Sequence, residues 1–405
     1  MNYIKTNNKE VKESGFQKIA VFSIALYIIL SALFETSDFF NSQLSSASIY
    51  FCIGVCAFNI LRKNVLKIDY YLTTLILIMI FFAVSSYFSP AADIYKDSYL
   101  YRFITTAILI ILVYNTISDK KELSIVLNSI VIAGTALALI MYSQYGFSNL
   151  AQATERMDYA MGNHNKVALY YAYGIIFAIY LLSKNIHTWR VYPYIGCIVI
   201  TTPAVMFTGS RKAILVLIIS LVVLFIFRFD SKNVIKKMFA FAAVVLVIYF
   251  IIDRVPAFSV IKERFGQLFE LLSGGETDNV GDKNRVDFIN ISLEYFAKSP
   301  IFGNGFCYSY YLLGTYSHNN FTEILLNNGI LGFILHYIPK VKVMFDGFSA
   351  LKKDREYASL ALIIAVSLLV CDIGVVTYYN RFLMIVLVVG VKAIELIKSE
   401  SSDEK

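Results

Sequence analysis

The sequence predicts an all-α polytopic membrane protein with about twelve transmembrane helices and one large extracytoplasmic loop containing short helices. Three observations carry that prediction. Of 405 residues, 58% are hydrophobic and only 16% are charged, whereas soluble domains hold roughly 45–50% apolar and about 25% charged residues. The apolar residues gather in runs bounded by charges, each near the ~20 residues that span a bilayer. Lysine and arginine favour alternate connections along the chain, as expected of a multi-pass protein. A soluble enzyme is excluded. The net charge of +7 then reports topology, and no nucleic-acid partner is expected.

The predicted spans are 19–34, 44–61, 70–88, 100–117, 123–146, 167–182, 191–207, 213–229, 238–252, 324–339, 358–378 and 380–397. The polar start carries Lys5, Lys9, Lys12 and Lys18. The apolar stretch from Ile19 lacks a small-residue cleavage site, so it reads as a first span and not as a signal peptide. With the N-terminus in the cytoplasm, 23 of the 36 Lys and Arg fall inside and 13 outside. Both termini are therefore expected in the cytoplasm. Domain organisation follows as spans one to nine (1–252), an extracytoplasmic loop (253–323) and spans ten to twelve (324–405). The cysteines Cys52, Cys56, Cys197, Cys307 and Cys371 show no metal-ligand or disulfide spacing, and no metal is expected.

The loop reads as two helices and a re-entry. Ile261, Phe265, Leu268 and Leu272 share one face of a helix over Ser259–Ser273 that would lie on the membrane surface. Gly274-Gly275 through Gly281 forms a linker. A second helix is expected over Asn284–Ala297, with Val286, Ile289, Leu293 and Phe296 as its apolar stripe. Arg285 in its first turn opposes the helix dipole, so helix stability does not explain it. Pro300 ends that helix and Gly303-Asn-Gly305 makes a turn. Ser317 is the expected N-cap of span ten, which puts His318 at its outer mouth.

The two sides differ in the kind of cation. Outside lie Arg102, Arg156, Arg211, Arg254, Arg264, Arg285 and Arg381, seven of the 13 cations, against four arginines of 23 inside. The guanidinium fork matches phosphate oxygens and does not deprotonate, so the outer face is expected to receive a phosphorylated ligand. His164 and His318 are also outside, whereas His187 is in a cytoplasmic loop and His336 near the inner end of span ten reads as structural. Asp372, toward the outer end of span eleven, is expected to pair with Arg381 or to bind sugar hydroxyls. Tyr308, Tyr310, Tyr311 and Tyr316 suit either sugar stacking or interface anchoring. Glu155, Arg156 and Asp158 are candidate glycan contacts.

Several motifs occur in a known order. Gly162-Asn-His-Asn165 opens span six, and Thr208-Gly-Ser-Arg-Lys212 precedes span eight. Arg285, Pro300-Ile-Phe-Gly-Asn-Gly305, His318-Asn319 and Asn328-Gly-Ile-Leu-Gly332 follow. The set resembles the signature of the O-antigen ligase/polymerase family, with His164 standing where that family usually has proline. The resemblance implies a GT-C-like glycosyltransferase working at the outer face of the bacterial inner membrane. It implies an undecaprenyl-pyrophosphate-linked glycan donor, a lipid-linked glycan acceptor, no cofactor, and contact with membrane lipids. A chain-length regulator is a further candidate partner. Arg211 and Arg285 match family arginines that hold pyrophosphate, and His318 matches the catalytic histidine. Lys212, His164, Asn165, Arg156, Asn319, Arg264, Asp372 and Arg381 complete the expected substrate-binding set.

The residues suit that chemistry. Fixed cations stabilise charge on a leaving pyrophosphate, and an imidazole can take the acceptor hydroxyl's proton. His164 and His318 both remain candidates for the base. The Lys/Ile/Asn-rich composition favours a polymerase, with ligation of the glycan to lipid A–core as the variant. A transporter of lipid-linked substrate is the alternative of a different class, although no internal repeat of the transporter kind is visible.

Overall fold

The computed structural model describes residues 15–35, 42–64, 66–152, 164–185, 188–228 and 280–403, with isolated residues between 254 and 267. Span nine, most of Ser259–Ser273, Gly274-Gly275, Glu155, Arg156, Asp158, Gly162, His187 and Arg264 lie outside the described residues. The described elements are α1 (Gly15–Glu35), α2 (Ser42–Lys63), α3 (Tyr70–Phe88), α4 (Asp93–Thr116), α5 (Lys120–Tyr145), α6 (Phe147–Gln152) and α7 (His164–Lys184). They continue with α8 (Val191–Phe207), α9 (Arg211–Arg228), α10 (Val280–Lys298), α11 (Tyr308–Leu313), α12 (Asn320–Ala350), α13 (Arg355–Asp372) and α14 (Arg381–Asp403). Seven of these, α1 to α5, α7 and α12, are long and apolar enough to cross a membrane. The chain is an integral membrane protein. α8 is apolar but has 17 residues, and α9, α13 and α14 begin on the charges Arg211, Arg355 and Arg381.

α7 is the buried element. Tyr170, Tyr171, Tyr173 and Tyr180 on it are at most 1% exposed. Tyrosine is tolerated there because its ring adds packing area while its hydroxyl finds a partner. Tyr173 donates to Ser367 Oγ on α13 at 3.0 Å, and Tyr170 stacks on Phe382 of α14 at 4.0 Å. The N-terminal half of the chain is thereby joined to α13 and α14.

Three boundaries depart from the sequence expectation. Span ten was expected over 324–339, but α12 runs to Ala350 with Pro339 inside it. The charges that seemed to end it do not, because Lys340 is buried against Asp372. His336 consequently lies mid-helix. Span eleven stops at Asp372, and an eight-residue turn (373–380) separates α13 from α14. The loop helix α10 starts at Val280. Of its expected stripe, Ile289 and Phe296 are half-buried, whereas Val286 and Leu293 are 38% and 43% exposed, and Ser292 beside them is fully buried.

Candidate active site

The site is built on a break in α12. Gly329 has φ 62° and ψ −166° inside the helix. The amides freed below the break are taken up by the Pro300–Gly305 turn. Ile330 N donates to Pro300 O at 2.8 Å and Leu331 N to Ile301 O at 3.2 Å, while Asn304 N donates to Leu326 O at 3.1 Å and Gly305 N to Asn327 O at 2.8 Å. Two of the sequence motifs are therefore halves of one backbone lock. A Cβ on Gly303 would lie 2.4 Å from the amide nitrogens of Asn328 and Gly329, and one on Gly329 would lie 2.4 Å from Ile301 O. No side chain fits at either place, and both residues have positive φ.

Almost two turns above the break, Glu323 organises the loop that carries His318. Its carboxylate is fully buried and accepts from Ser309 Oγ at 2.6 Å, Ser317 N at 2.7 Å and Asn327 Nδ2 at 3.0 Å. The residue that follows Ser317 is His318, held at φ 61°. A left-handed non-glycine residue costs on the order of 1–3 kcal/mol and persists only where its surroundings enforce it. The N-cap of α12 is Asn319, whose Oδ1 accepts from Phe321 N and Thr322 N. This corrects the expectation of Ser317, which Glu323 and Asn319 O engage instead.

His318 faces a cavity of about 220 Å³ lined by Tyr99, Arg102, Asn165, Lys166, Leu169, Lys212, Tyr316, His318, Gly374, Val375, Val376, Tyr379 and Asn380. Its ring lies 4.2 Å from that of Tyr316 and parallel to that of Phe288 at 6.3 Å. Burial, then Arg285, then Lys212 pull its pKa down to about 4, so the imidazole is neutral near pH 7 and can accept a proton. Burial pushes the neighbouring Tyr316 hydroxyl upward. Among the described residues, three cations and no carboxylate line the cavity.

That imbalance follows from how the helices start. Toward the end of the bundle where α3, α5 and α13 begin, the N-caps are Asp69, Asp119 and Asp354. There the lysines are paired, as in Lys120–Asp354 at 3.2 Å, Lys184–Glu356 at 2.7 Å and Lys398–Asp346 at 2.7 Å. Toward the cavity end the caps are neutral. Ser210 Oγ accepts from Ala213 N at 3.5 Å for α9, Asn319 caps α12, and Asn380 Oδ1 accepts from Leu383 N at 3.2 Å for α14. Aspartate is as good a cap as serine or asparagine. Serine and asparagine do that work at the cavity end for α9, α12 and α14.

The expected site residues divide into four groups. Asn165, Lys212 and His318 line the cavity. Asn165 Oδ1 also accepts from Ser210 Oγ at 3.1 Å, tying the start of α7 to the turn that presents Lys212. Arg285, Arg211, His164 and Asn319 are half-buried around it. Arg285 acts on both His318 and Tyr316. Arg211 and His164 open α9 and α7. The Asn319 side chain is occupied as a cap and by Ile373 O at 3.2 Å. Arg381 instead faces α4, donating to Thr105 Oγ1 at 3.3 Å. Asp372 is fully buried beneath the cavity, and its partner is Lys340, not Arg381. Arg156 and Arg264 lie outside the described residues.

Sequence reasoning did not select Tyr99, Lys166, Tyr379 or Asn380, and counted Arg102 only among the outer arginines. Arg102 Nε donates to Tyr379 O at 3.3 Å, with its guanidinium 6.0 Å from the Tyr379 ring centre. It sits almost three turns inside α4, and such depth for a charge signals a cavity.

Residues 196–337 match the family described as O-antigen ligase. About a third of the chain is thus similar to that family. No curated protein matches the chain. The O-antigen ligase segment holds the α12 lock, Glu323, Lys212, Arg285 and His318. The other cavity walls come from α4, α7 and the α13–α14 turn, outside that segment. The match supports O-antigen ligase or polymerase-type activity in general, on lipid-linked glycans, by a membrane protein.

Proposed function

We propose that the protein transfers a glycan from undecaprenyl pyrophosphate to the hydroxyl of a second lipid-linked repeat unit, at the outer face of the inner membrane. The observation that carries this reading is the cavity into which Arg102, Lys166, Lys212 and His318 converge. Arg102, Lys166 and Lys212 receive the pyrophosphate oxygens, with Arg285 and Arg211 behind them. The acceptor oxygen attacks C1 of the donor sugar from the side opposite the pyrophosphate. The C1–O bond to phosphate breaks and its electron pair leaves with the pyrophosphate, whose charge the cations offset. His318 takes the acceptor's proton, and C1 is inverted.

The low pKa of His318 becomes useful on donor binding. Pyrophosphate neutralises Arg285 and Lys212, the two charges that hold it down, so the imidazole becomes a stronger base when donor is present. The neutral form is the active one, so activity is expected to fall as pH drops. For kcat/KM that acid limb falls near pH 4. For kcat the limb is displaced to higher pH, because the donor fills the site. Coincident limbs in initial-rate profiles contradict this coupling.

Lys212→Met is expected to lower kcat/KM for the donor about ten- to a hundredfold, the scale of a lost charged hydrogen bond. An unchanged kcat/KM would remove the residue from the pyrophosphate site. The ligase reading is favoured by the description of the matched family. Deleting the gene separates the two on a gel of surface glycan. Loss of the polymerase leaves single repeats attached, and loss of the ligase leaves long chains stranded on carrier lipid.

A further inference from the structure

Beneath the cavity, α12 and α13 share a polar cluster that the transfer chemistry does not touch. Lys340 is 1% exposed and Asp372 0%. Lys340 Nζ donates to Asp372 Oδ2 at 2.5 Å and to Thr377 Oγ1 at 3.3 Å, and lies 3.1 Å from His336 Nε2. Thr377 Oγ1 donates to the other carboxylate oxygen of Asp372. Asn320 Oδ1 accepts from Thr377 N at 2.9 Å, while its Nδ2 donates to Tyr337 OH at 3.0 Å and lies 3.2 Å from His336 Nε2. Two donors converge on His336 Nε2, which places the ring proton on Nδ1.

Packing does not call for such a cluster. Two helices in a bilayer associate through small and apolar residues, and a buried ion pair is often no better than well-packed apolar replacements. Its position is more informative. Thr377 belongs to the α13–α14 turn, whose Gly374, Val375 and Val376 form one wall of the cavity. The Lys212 side chain rests on that wall, since a Cβ on Gly374 would approach Lys212 Cε to 2.3 Å. Asn320, at the other end of the cluster, comes two residues after His318, and Asn319 is bonded to Ile373 O.

We infer that Lys340, Asp372 and Thr377 form a positioning device that holds the wall carrying Lys212 in register with the loop carrying His318. The inference rests on the proposed transfer reaction and assigns these residues no contact with substrate. The cluster sets where the base stands relative to the cations, and misplacement by about 1 Å is enough to slow a reaction a hundredfold.

The test uses full-length protein reconstituted in vesicles with a lipid-pyrophosphate-linked oligosaccharide, measuring kcat, donor KM and thermal midpoint. Thr377→Val keeps the shape and removes the hydroxyl that joins the pair to the turn. It is expected to lower kcat about ten- to a hundredfold, with KM and midpoint unchanged. Thr377→Ser is expected to keep the wild-type kcat. Lys340→Met/Asp372→Leu removes both charges together and serves as the second variant if Thr377→Val fails to insert, judged by the same three quantities. Wild-type kcat in Thr377→Val, or a loss that tracks a lowered midpoint or raised KM, overturns the positioning role. If wild-type protein transfers no glycan, the proposed function fails. If it transfers glycan and Thr377→Val equals it, only the positioning inference fails.

Discussion

His318→Ala is expected to lower glycan transfer about 10²–10⁴-fold, the usual share of a general base, with membrane insertion and thermal midpoint close to wild type. The ring is half-buried between Tyr316 and Phe288. Backbone and caps are held instead by Glu323 and Asn319. Alanine also suffers at the left-handed φ of 61°, so His318→Asn, which tolerates that region, is the cleaner control. Both variants are expected to be inactive. Transfer retained by either one would move the base elsewhere, with His164 at the start of α7 the next residue to test.

The second large effect is expected at the helix break. Gly303→Ala places a methyl 2.4 Å from two backbone nitrogens of α12. Backbone cannot swing aside as a flexible side chain can, and φ of 73° at Gly303 adds strain. The Pro300–Gly305 turn should leave the break, freeing the amides of Ile330 and Leu331 that it now satisfies. Transfer is expected to be lost, and amide hydrogen exchange across 299–331 to quicken, while α1 to α5 keep wild-type protection. Normal exchange in that segment would show that the lock does not need glycine. The contrast with His318→Ala is diagnostic, since one removes chemistry from an intact loop and the other releases the loop.

The sequence made the helix starts and the segregation of charge legible, because each follows from local composition. Apolar length marked the runs that form helices, seven of which are long and apolar enough to cross a membrane. Asn165, Lys212 and His318, which line the cavity, were selected because polar and cationic residues beside an apolar run are conspicuous. Other features depended on distant partners. Lys340 marks a helix end in sequence and a helix interior in the fold, and the difference is Asp372, 32 residues away. The glycine motifs stood out as a pattern, but their mechanical pairing across the break needed the fold. Lys166, next to Asn165, had the same local signal and was passed over, whereas Tyr99 and Asn380 join the site from α4 and the α13–α14 turn with none. The packed side of α10 shares Ile289 and Phe296 with the expected stripe and adds Ser292, which an apolar pattern does not mark.

The central claim is that a glycan leaves its pyrophosphate carrier at the His318 cavity. The most direct measurement is single-turnover release of undecaprenyl pyrophosphate by the purified, reconstituted protein supplied with lipid-linked glycan. One carrier pyrophosphate freed for each glycosidic bond formed, with none freed by His318→Ala, is the expected result. Glycan that crosses the bilayer still attached to its lipid, with no carrier released, would contradict the account and make the protein a transporter.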